Sequence, residues 1–545
     1  MKKITVTLLS LLLAVNFTYA GGLVTNTNQS TAWTRMLVRD ASTSIDAVYF
    51  NPAGLAKLSD GFYVSLSNQS IYQTQTIIAN FPYLNNKTYT GTVGAPVFPS
   101  LYMAYKTGRF AFSLGVNVIG GGGSATFNNG IPMAEVPIAA LSKSLGSLGV
   151  TGYSADMFLK GSSVYYGVQF GITYAISDNF SIYAGGRYVI ARNSYSGYVN
   201  DIKFNLASGG SVGASTFMNG VGDQAMAGSA SAKTAGDGLQ NWVGAGAGGY
   251  TFDQAVAGGV MTAQQKAVFE GALLQFGFTQ DQINAMTLSA AQTAFYGTST
   301  ALAAKAKQLY GGASLMGNQD IDVKQSGTGF TPIVGANISM ANNKIDIGIK
   351  YEFITHMTLT NSTPAGKGYK IGLNPDGTPI YMFPDGAKTN ADMPSLLSIG
   401  INYKVSKVFS LQGGVHMYGD RNTGWKDVKT EIGKNFREYA LGAEFNVAPN
   451  LTLSAGYLYA VTGVNQSYQS DLSYSLTTNT YGAGGAYKIN DRVTFQFGGY
   501  IVSYNDKTYS YTQNIGSTPV NYQKNYSKST YGVSFGLDFK LGKTK

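Results

Sequence analysis

Residues 344–355 read KIDIGIKYEFIT, and their character repeats at every second position. Ile345, Ile347, Ile349, Tyr351 and Phe353 share one face; Lys344, Asp346, Gly348, Lys350 and Glu352 share the other. A helix would scatter these charges around its axis, whereas a strand sorts them. The chain's end repeats the pattern, with Tyr531, Val533, Phe535, Leu537 and Phe539 set against Gly532, Ser534, Gly536, Asp538 and Lys540. The same reading gives fourteen segments, near 61–79, 98–106, 109–119, 161–177, 179–204, 319–341, 343–361, 394–405, 407–419, 434–447, 450–462, 475–489, 492–506 and 526–540. Most reach the ~9–11 residues that let a tilted strand cross a bilayer.

The connections alternate in length. KTGR, ISDN, MANNK, KVSK, APN and INDR are short. Long ones cover roughly 80–97, 120–160, 205–318, 362–393, 420–433, 463–474 and 507–525. Short turns at one end and long loops at the other predict an all-β fold: a transmembrane antiparallel barrel of fourteen strands, with periplasmic turns and extracellular loops. Composition agrees. Charged residues are 12% of the chain, about half the share of a soluble domain, and Gly (69) and Tyr (38) are abundant. A soluble propeller would show a constant repeat instead.

The first twenty residues read as a signal peptide, with Lys2 and Lys3, an apolar run from Leu8 to Val15, and Thr18-Tyr19-Ala20 before a cut at Gly21. The apolar run is too short to span a membrane. Without Lys2 and Lys3 the formal charge falls from +10 to +8. No basic cluster with interleaved aromatics points to nucleic acid. With no cysteine, disulfides, thiolate metal sites and Cys nucleophiles are excluded.

Three helices are expected in the longest loop: from an N-cap at Thr262, from a second cap at Thr279, and over STALAAKAKQLYGG to Gly311. Its earlier part is Gly-, Ala- and Ser-rich. Another short helix is expected over 131–149, across the barrel mouth. Loops this long are uncommon without a function.

Ahead of the first strand stands Asn51-Pro52-Ala53-Gly54. Pro52 fixes φ, lacks an N–H and holds Asn51 extended; Gly54 permits a close or left-handed approach. The residues alone fit an ordinary turn. The chain, however, resembles the FadL outer-membrane family of long-chain fatty acid and hydrophobic-compound transporters over nearly all of its mature length. The resemblance rests on NPAGLA (51–56), GFTPIVGANIS (329–339), DMPSLLSIGINYKV (392–405) and VAPNLTLSAGYLY (447–459), in order along the strand-like segments. It implies an N-terminal hatch, residues 21–58, inside a barrel of residues 59–545, with Asn51, Pro52, Ala53 and Gly54 as its corner.

The resemblance also implies a kinked third strand that opens the wall to lipid. That makes Gly115, Gly120, Gly121, Gly122 and Gly123 candidates for the edge of the gap; a plain flexible exit from the strand is the alternative. On this reading Phe110, Phe112, Leu114, Val116 and Val118 face outward, and GGGG ends the strand. No Lys-Ser/Thr follows the glycines, so they form no phosphate loop. Inward-register Arg187, Lys350, Glu352, Glu438 and Glu444 are candidates for a polar lumen or for ion pairs to the hatch. His356 and His416, the two histidines, are too few for a His-rich metal site. No nucleophile is placed beside either, so an enzyme is not expected. No cofactor or metal is expected.

The expected function is passive uptake of long-chain fatty acids, with capture by loops 205–318 and 362–393, binding inside the barrel, a hatch shift and sideways release. Uptake of aromatic or other apolar compounds, and a structural or adhesive barrel displaying its loops, are the alternatives. The expected setting is the outer membrane of a Gram-negative bacterium, with membrane lipid as neighbour and the protein a monomer.

Overall fold

The computed structural model describes residues 23–375 and 377–541; the expected signal peptide lies outside them. Fourteen antiparallel strands close into a barrel. They are β1 Gly61–Ala79, β2 Thr88–Thr107, β3 Phe110–Phe127, β4 Val150–Ser177, β5 Phe180–Leu206, β6 Gln319–Met340 and β7 Ile345–Glu352, which resumes over Thr358–Ser362. Next come β8 Leu396–Lys404, preceded by the short piece Lys388–Asn390, β9 Phe409–Tyr418, β10 Arg437–Ala448, β11 Leu451–Val461, β12 Thr478–Asn490, β13 Val493–Tyr504, which resumes over Lys507–Ile515, and β14 Thr518–Leu541. Closure comes from β14 pairing β1, from Phe62 opposite Leu541 to Ala79 opposite Lys524. Every strand is thereby paired on both sides, which removes the exposed edges that a bilayer cannot tolerate.

The period-two reading gives the correct faces. Leu441, Ile501, Tyr531, Phe535 and other large apolar side chains stand exposed on the outer surface, while Ser534, Arg187 and Lys350 on the alternate positions are buried. No helix among the described residues is long and apolar enough to cross a membrane.

Three expected loops are shorter than the sequence reading made them. Residues 88–97 continue as strand, 507–525 form a hairpin turning at Gly516 and Ser517, and β3 runs on through the four glycines to Phe127. Turn residues marked these segments as loops, yet pairing above the membrane tolerates them. Val118, expected outward, is buried, packed with Phe98 over Gly122 where the register between β3 and β4 begins to shift.

Helix α1, Pro132–Ser144, covers the mouth as expected. The long loop holds α2 Ala214–Gly244, α3 Phe252–Ala257, α4 Ala263–Gln275, α5 Gln280–Ala285 and α6 Leu288–Leu315. Thr262 and Thr279 cap α4 and α5 with reciprocal Gln bonds. The Gly-, Ala- and Ser-rich earlier part of the loop, where no helix was expected, forms α2. Ala214, Met218, Gly222, Ser229, Ala232, Gly236 and Leu239 are its buried positions, close to heptad spacing. Tyr310 and Tyr296 of α6 lie over Gly222 and Gly236, so the two helices pack closely as a hairpin. Met218, Leu309 and Ala313 tie its base to the core of the barrel mouth.

Candidate functional site

From Leu23 to Leu55 the N-terminal segment is buried except at Thr25, Thr43 and Ser44. Its partners are inward-register side chains from all round the barrel. Gln69 of β1 donates to Asn28 O at 2.5 Å, and Tyr102 of β2 to Gln29 O at 2.6 Å. Gln169, Thr173 and Ser181 of β4 and β5 donate to the carbonyls of Val48, Pro52 and Ala53. Thr34 meets Ser534 of β14. Lys57 reaches Asp178 O and Asn343 Oδ1, in the β4–β5 and β6–β7 turns.

Glycine makes room for this segment. A Cβ at Gly456 would lie 1.8 Å from Met36 O, and one at Gly400 2.5 Å from Asp40 Cβ. Sequence reading counted these glycines without asking which face they share; their recurrence on the inward register of successive strands was the available signal.

Asn51-Pro52-Ala53-Gly54 forms a corner between the helical turn Ala47–Phe50 and a 3₁₀ turn, Pro52–Lys57. Asn51 Nδ2 donates to Ser42 O at 3.0 Å and to Asn337 Oδ1 at 2.8 Å. A Cβ on Gly54 would sit 2.2 Å from Ser42 O, so Gly54 serves close approach; no positive φ is involved.

The five inward charges are brought into three groups. Arg187 holds Glu352 through Nη1 at 2.5 Å and Nη2 at 3.0 Å. Lys350 Nζ lies 2.7 Å from Glu352 Oε1 and donates to Tyr49 O at 2.8 Å. Glu438 bonds His416 Nδ1 at 2.7 Å, and His416 Nε2 meets Asp40 Oδ1 at 2.7 Å. Glu444 accepts from Arg35 at 2.6 Å. His416 therefore bridges two carboxylates and orients no nucleophile. Buried pairs like these add little net stability, but removing one partner costs about 3–5 kcal/mol.

The wall between β2 and β3 is interrupted. The ladder runs from Thr107 opposite Phe110 to Ser100 opposite Asn117, then resumes only at Gly94 opposite Ser124. Pro96 and Pro99 lie in the unpaired stretch of β2 and have no N–H to donate. On β3, Gly121 (φ +61°) and Gly122 (φ +120°) adopt backbone that side chains disfavour. The N-terminal segment supplies donors here. Asn26 N bonds Ile119 O at 2.8 Å, Asn26 Nδ2 bonds Gly121 O at 2.7 Å, and Gln29 Nε2 bonds Val118 O at 2.9 Å. Gly115 lies in the intact ladder between Tyr102 and Gln169, while Gly120 to Gly123 lie in the interruption. Sequence reading missed the β2 side, although two prolines in one strand pointed to it.

Phe98 and Val118 pack against Gly122 and belong to one apolar cluster. That cluster also includes Ile131 and Val136, at the start of α1 and within it, Met157, Tyr195, Phe383 and Tyr474. Beneath α1 it lines a partly open cavity of about 40 Å³ walled by Met133, Met157, Met382, Tyr195, Tyr369 and Phe383, among others. The three methionines are adaptable side chains. Lys528, on the inward register of β14, is buried against the Tyr474 ring at 4.2 Å and donates to Tyr474 O at 2.7 Å. Among the described residues it has no carboxylate within ion-pair distance, unlike its neighbour Lys524, which holds Asp471 at 2.8 Å.

No protein-family model matches the sequence. No curated protein matches it. Solved structures do. A FadL homologue of Pseudomonas aeruginosa superposes with a TM-score of 0.54 at 13% identity, over 96% of this chain and 100% of that one. The toluene transporter TodX of P. putida gives 0.46 at 11%, over 92% and 95%. The toluene transporter TbuX of Ralstonia pickettii gives 0.42 at 12%, over 92% and 94%. The chain thus shares the fold of the FadL homologue over 96% of its length.

Proposed function

We propose that the protein carries hydrophobic small molecules passively across the outer membrane of a Gram-negative cell. Residues 21–58 act as a hatch that shifts to admit the ligand, and the ligand leaves sideways between β2 and β3. The observation that carries this reading is the single apolar cluster joining the cavity under α1 to Phe98 and Val118 at the interrupted ladder. The shared fold of the FadL homologue supports it.

Magnitudes favour sideways release. A long acyl chain with ~14 methylenes at ~0.8 kcal/mol each holds roughly 11 kcal/mol of hydrophobic free energy. Release into periplasmic water would forfeit that; release into lipid keeps most of it. The interruption exposes backbone groups that cost several kcal/mol each when unpaired in lipid. Asn26 and Gln29 meet that cost in the closed state.

Long-chain fatty acids are the leading substrate, because Lys528 is a buried amine without a carboxylate partner beside the same apolar cluster; burial lowers its pKa to about 7, and a ligand carboxylate there would favour its charged form. Neutral aromatic compounds are the second reading, favoured by the aromatic and methionine walls of the cavity itself. Uptake of labelled oleate and of labelled toluene, by cells lacking other such barrels, separates the two. Faster oleate entry that falls in Lys528→Met supports the fatty-acid reading. Toluene entry indifferent to Lys528→Met supports the aromatic one. Entry of neither compound above an empty-vector control contradicts transport and leaves the displaying barrel.

A further inference from the structure

A second concavity lies on the outside of the barrel, away from the lumen. It measures about 700 Å³ and is open. Its walls are the upper parts of β6 and β7 with the segments before β8 and after β9, and they include Ser326, Thr328, His356, Thr358, Asn390 and Asn422. The side faced is fixed by alternation. Ser326 and Thr328 share the outward register with Phe330, which is exposed and stacks near Phe170 on the outer wall. Phe330, Phe353 and Met417 mark the top of the lipid-facing surface at this place. The outward positions above them are polar, so the concavity sits where the bilayer gives way to headgroups.

Its chemistry is specific. The wall offers hydroxyls, amides, an imidazole, one carboxylate (Asp392), one thioether (Met357) and glycine backbone, with no lysine or arginine among its residues. His356 is the most presented of them, with its side chain 77% exposed and Nδ1 3.4 Å from Asp392 Oδ2. Asp392 is itself anchored: its two oxygens accept Met357 N at 3.0 Å and Gly424 N at 2.8 Å. The floor is therefore rigid while the ring nitrogen Nε2 and the Thr328 and Thr358 hydroxyls face open space. On ladder positions next to the concavity's walls stand three exposed cations in no ion pair among the described residues: Arg192 opposite Ser326, Lys388 opposite Thr360, and Lys324 two residues before Ser326 on the same outward face.

A hydrogen-bonding hollow whose one carboxylate, Asp392, is taken up by two backbone N–H groups and set beside His356, with cations on the positions around it and an apolar wall below, matches a polyhydroxylated headgroup with an anionic substituent and acyl chains below. We infer that this concavity binds the phosphorylated sugar headgroup of an outer-leaflet glycolipid, with its chains lying on Phe330, Phe353 and Met417. Its residues lie outside the apolar cluster under α1 and the β2–β3 interruption, and only Met357 among them also packs in the core around the N-terminal segment.

Native mass spectrometry of the full-length protein, titrated with diphosphorylated lipid A in mixed micelles, tests this. Wild type should retain one lipid A saturably. His356→Ala/Thr358→Val should weaken retention about tenfold, the loss expected for one or two hydrogen bonds. Arg192→Gln/Lys388→Gln should reduce the preference for diphosphorylated over dephosphorylated lipid A at least severalfold. Tyr481→Ala, an exposed change on β12, should bind as wild type, and all variants should keep the heat-modifiable mobility of a folded barrel. Equal retention by wild type and His356→Ala/Thr358→Val would overturn the inference. So would equal competition by phosphatidylglycerol, which would mark a general lipid contact, or displacement by equimolar glucosamine 1-phosphate, which would mark a site for a soluble sugar.

Discussion

Gly456 shows what a single missing side chain does here. Any Cβ at this position would coincide with Met36 O, and the strand cannot retreat because β10 and β12 pair it on both sides. Gly456→Val should therefore leave the barrel closed and displace the N-terminal segment. Arg35 and Arg39 are buried in the wild type, so trypsin in detergent should cut the variant there and spare the wild type. Asp420 gives a second prediction. It lies in the turn after β9, accepts Phe436 N at 2.8 Å, and leaves Oδ1 without a partner. Burial pushes its carboxyl up to about 6, against a partial offset from that backbone bond. The folded state thus holds the proton more tightly than the unfolded one. Its stabilising effect is full below pH ~4 and is lost as pH rises through about 6, a swing on the order of 2–3 kcal/mol. Asp420→Asn should narrow that swing, which heat-modifiability profiles at pH 4.5 and 7.5 would show; an unchanged difference between the two would contradict it. Neither residue was legible in the sequence as important. A glycine's role depends on what approaches it, and a carboxyl's proton affinity depends on burial, and neither is written in local pattern.

Elements were more legible than residues, for a physical reason. A strand that separates lipid from lumen must alternate, so the fourteen segments and their short turns could be read directly. Where that pressure ends, the reading weakens. The upper halves of β2 and β14 pair above the lipid and carry Pro, Asn, Lys and Gly, so they looked like loops. The α2–α6 hairpin was half-missed because its interface uses Gly, Ala and Ser, which allow close packing but resemble a flexible linker by composition. The interruption in β3 was read from its glycines but placed at the strand's end, whereas pairing with β4 continues through it. At this element Asn26→Ala/Gln29→Ala should remove the donors to Val118 O and Gly121 O. Each buried carbonyl left unpaired costs about 1–3 kcal/mol. The double variant should lose heat stability by a few kcal/mol, and leak of an apolar dye through the wall should rise. Unchanged stability would mean that other groups or lipid satisfy the interruption.

At the scale of the whole molecule, the barrel is a closed wall, the N-terminal segment is bonded to that wall around its circumference, and one apolar cluster joins the mouth to the interrupted ladder. Transport on this plan requires the segment to move relative to the wall. Because the chain has no cysteine, that motion can be arrested cleanly. Thr34 and Ser534 touch through their hydroxyls, which places their β-carbons near the spacing a disulfide needs. Uptake of labelled oleate by cells carrying Thr34→Cys/Ser534→Cys is the decisive measurement. The account predicts that uptake falls to background when the pair is oxidised and returns with reductant, while oleate binding to the purified protein persists in both states. Full uptake through a verified crosslink would contradict it.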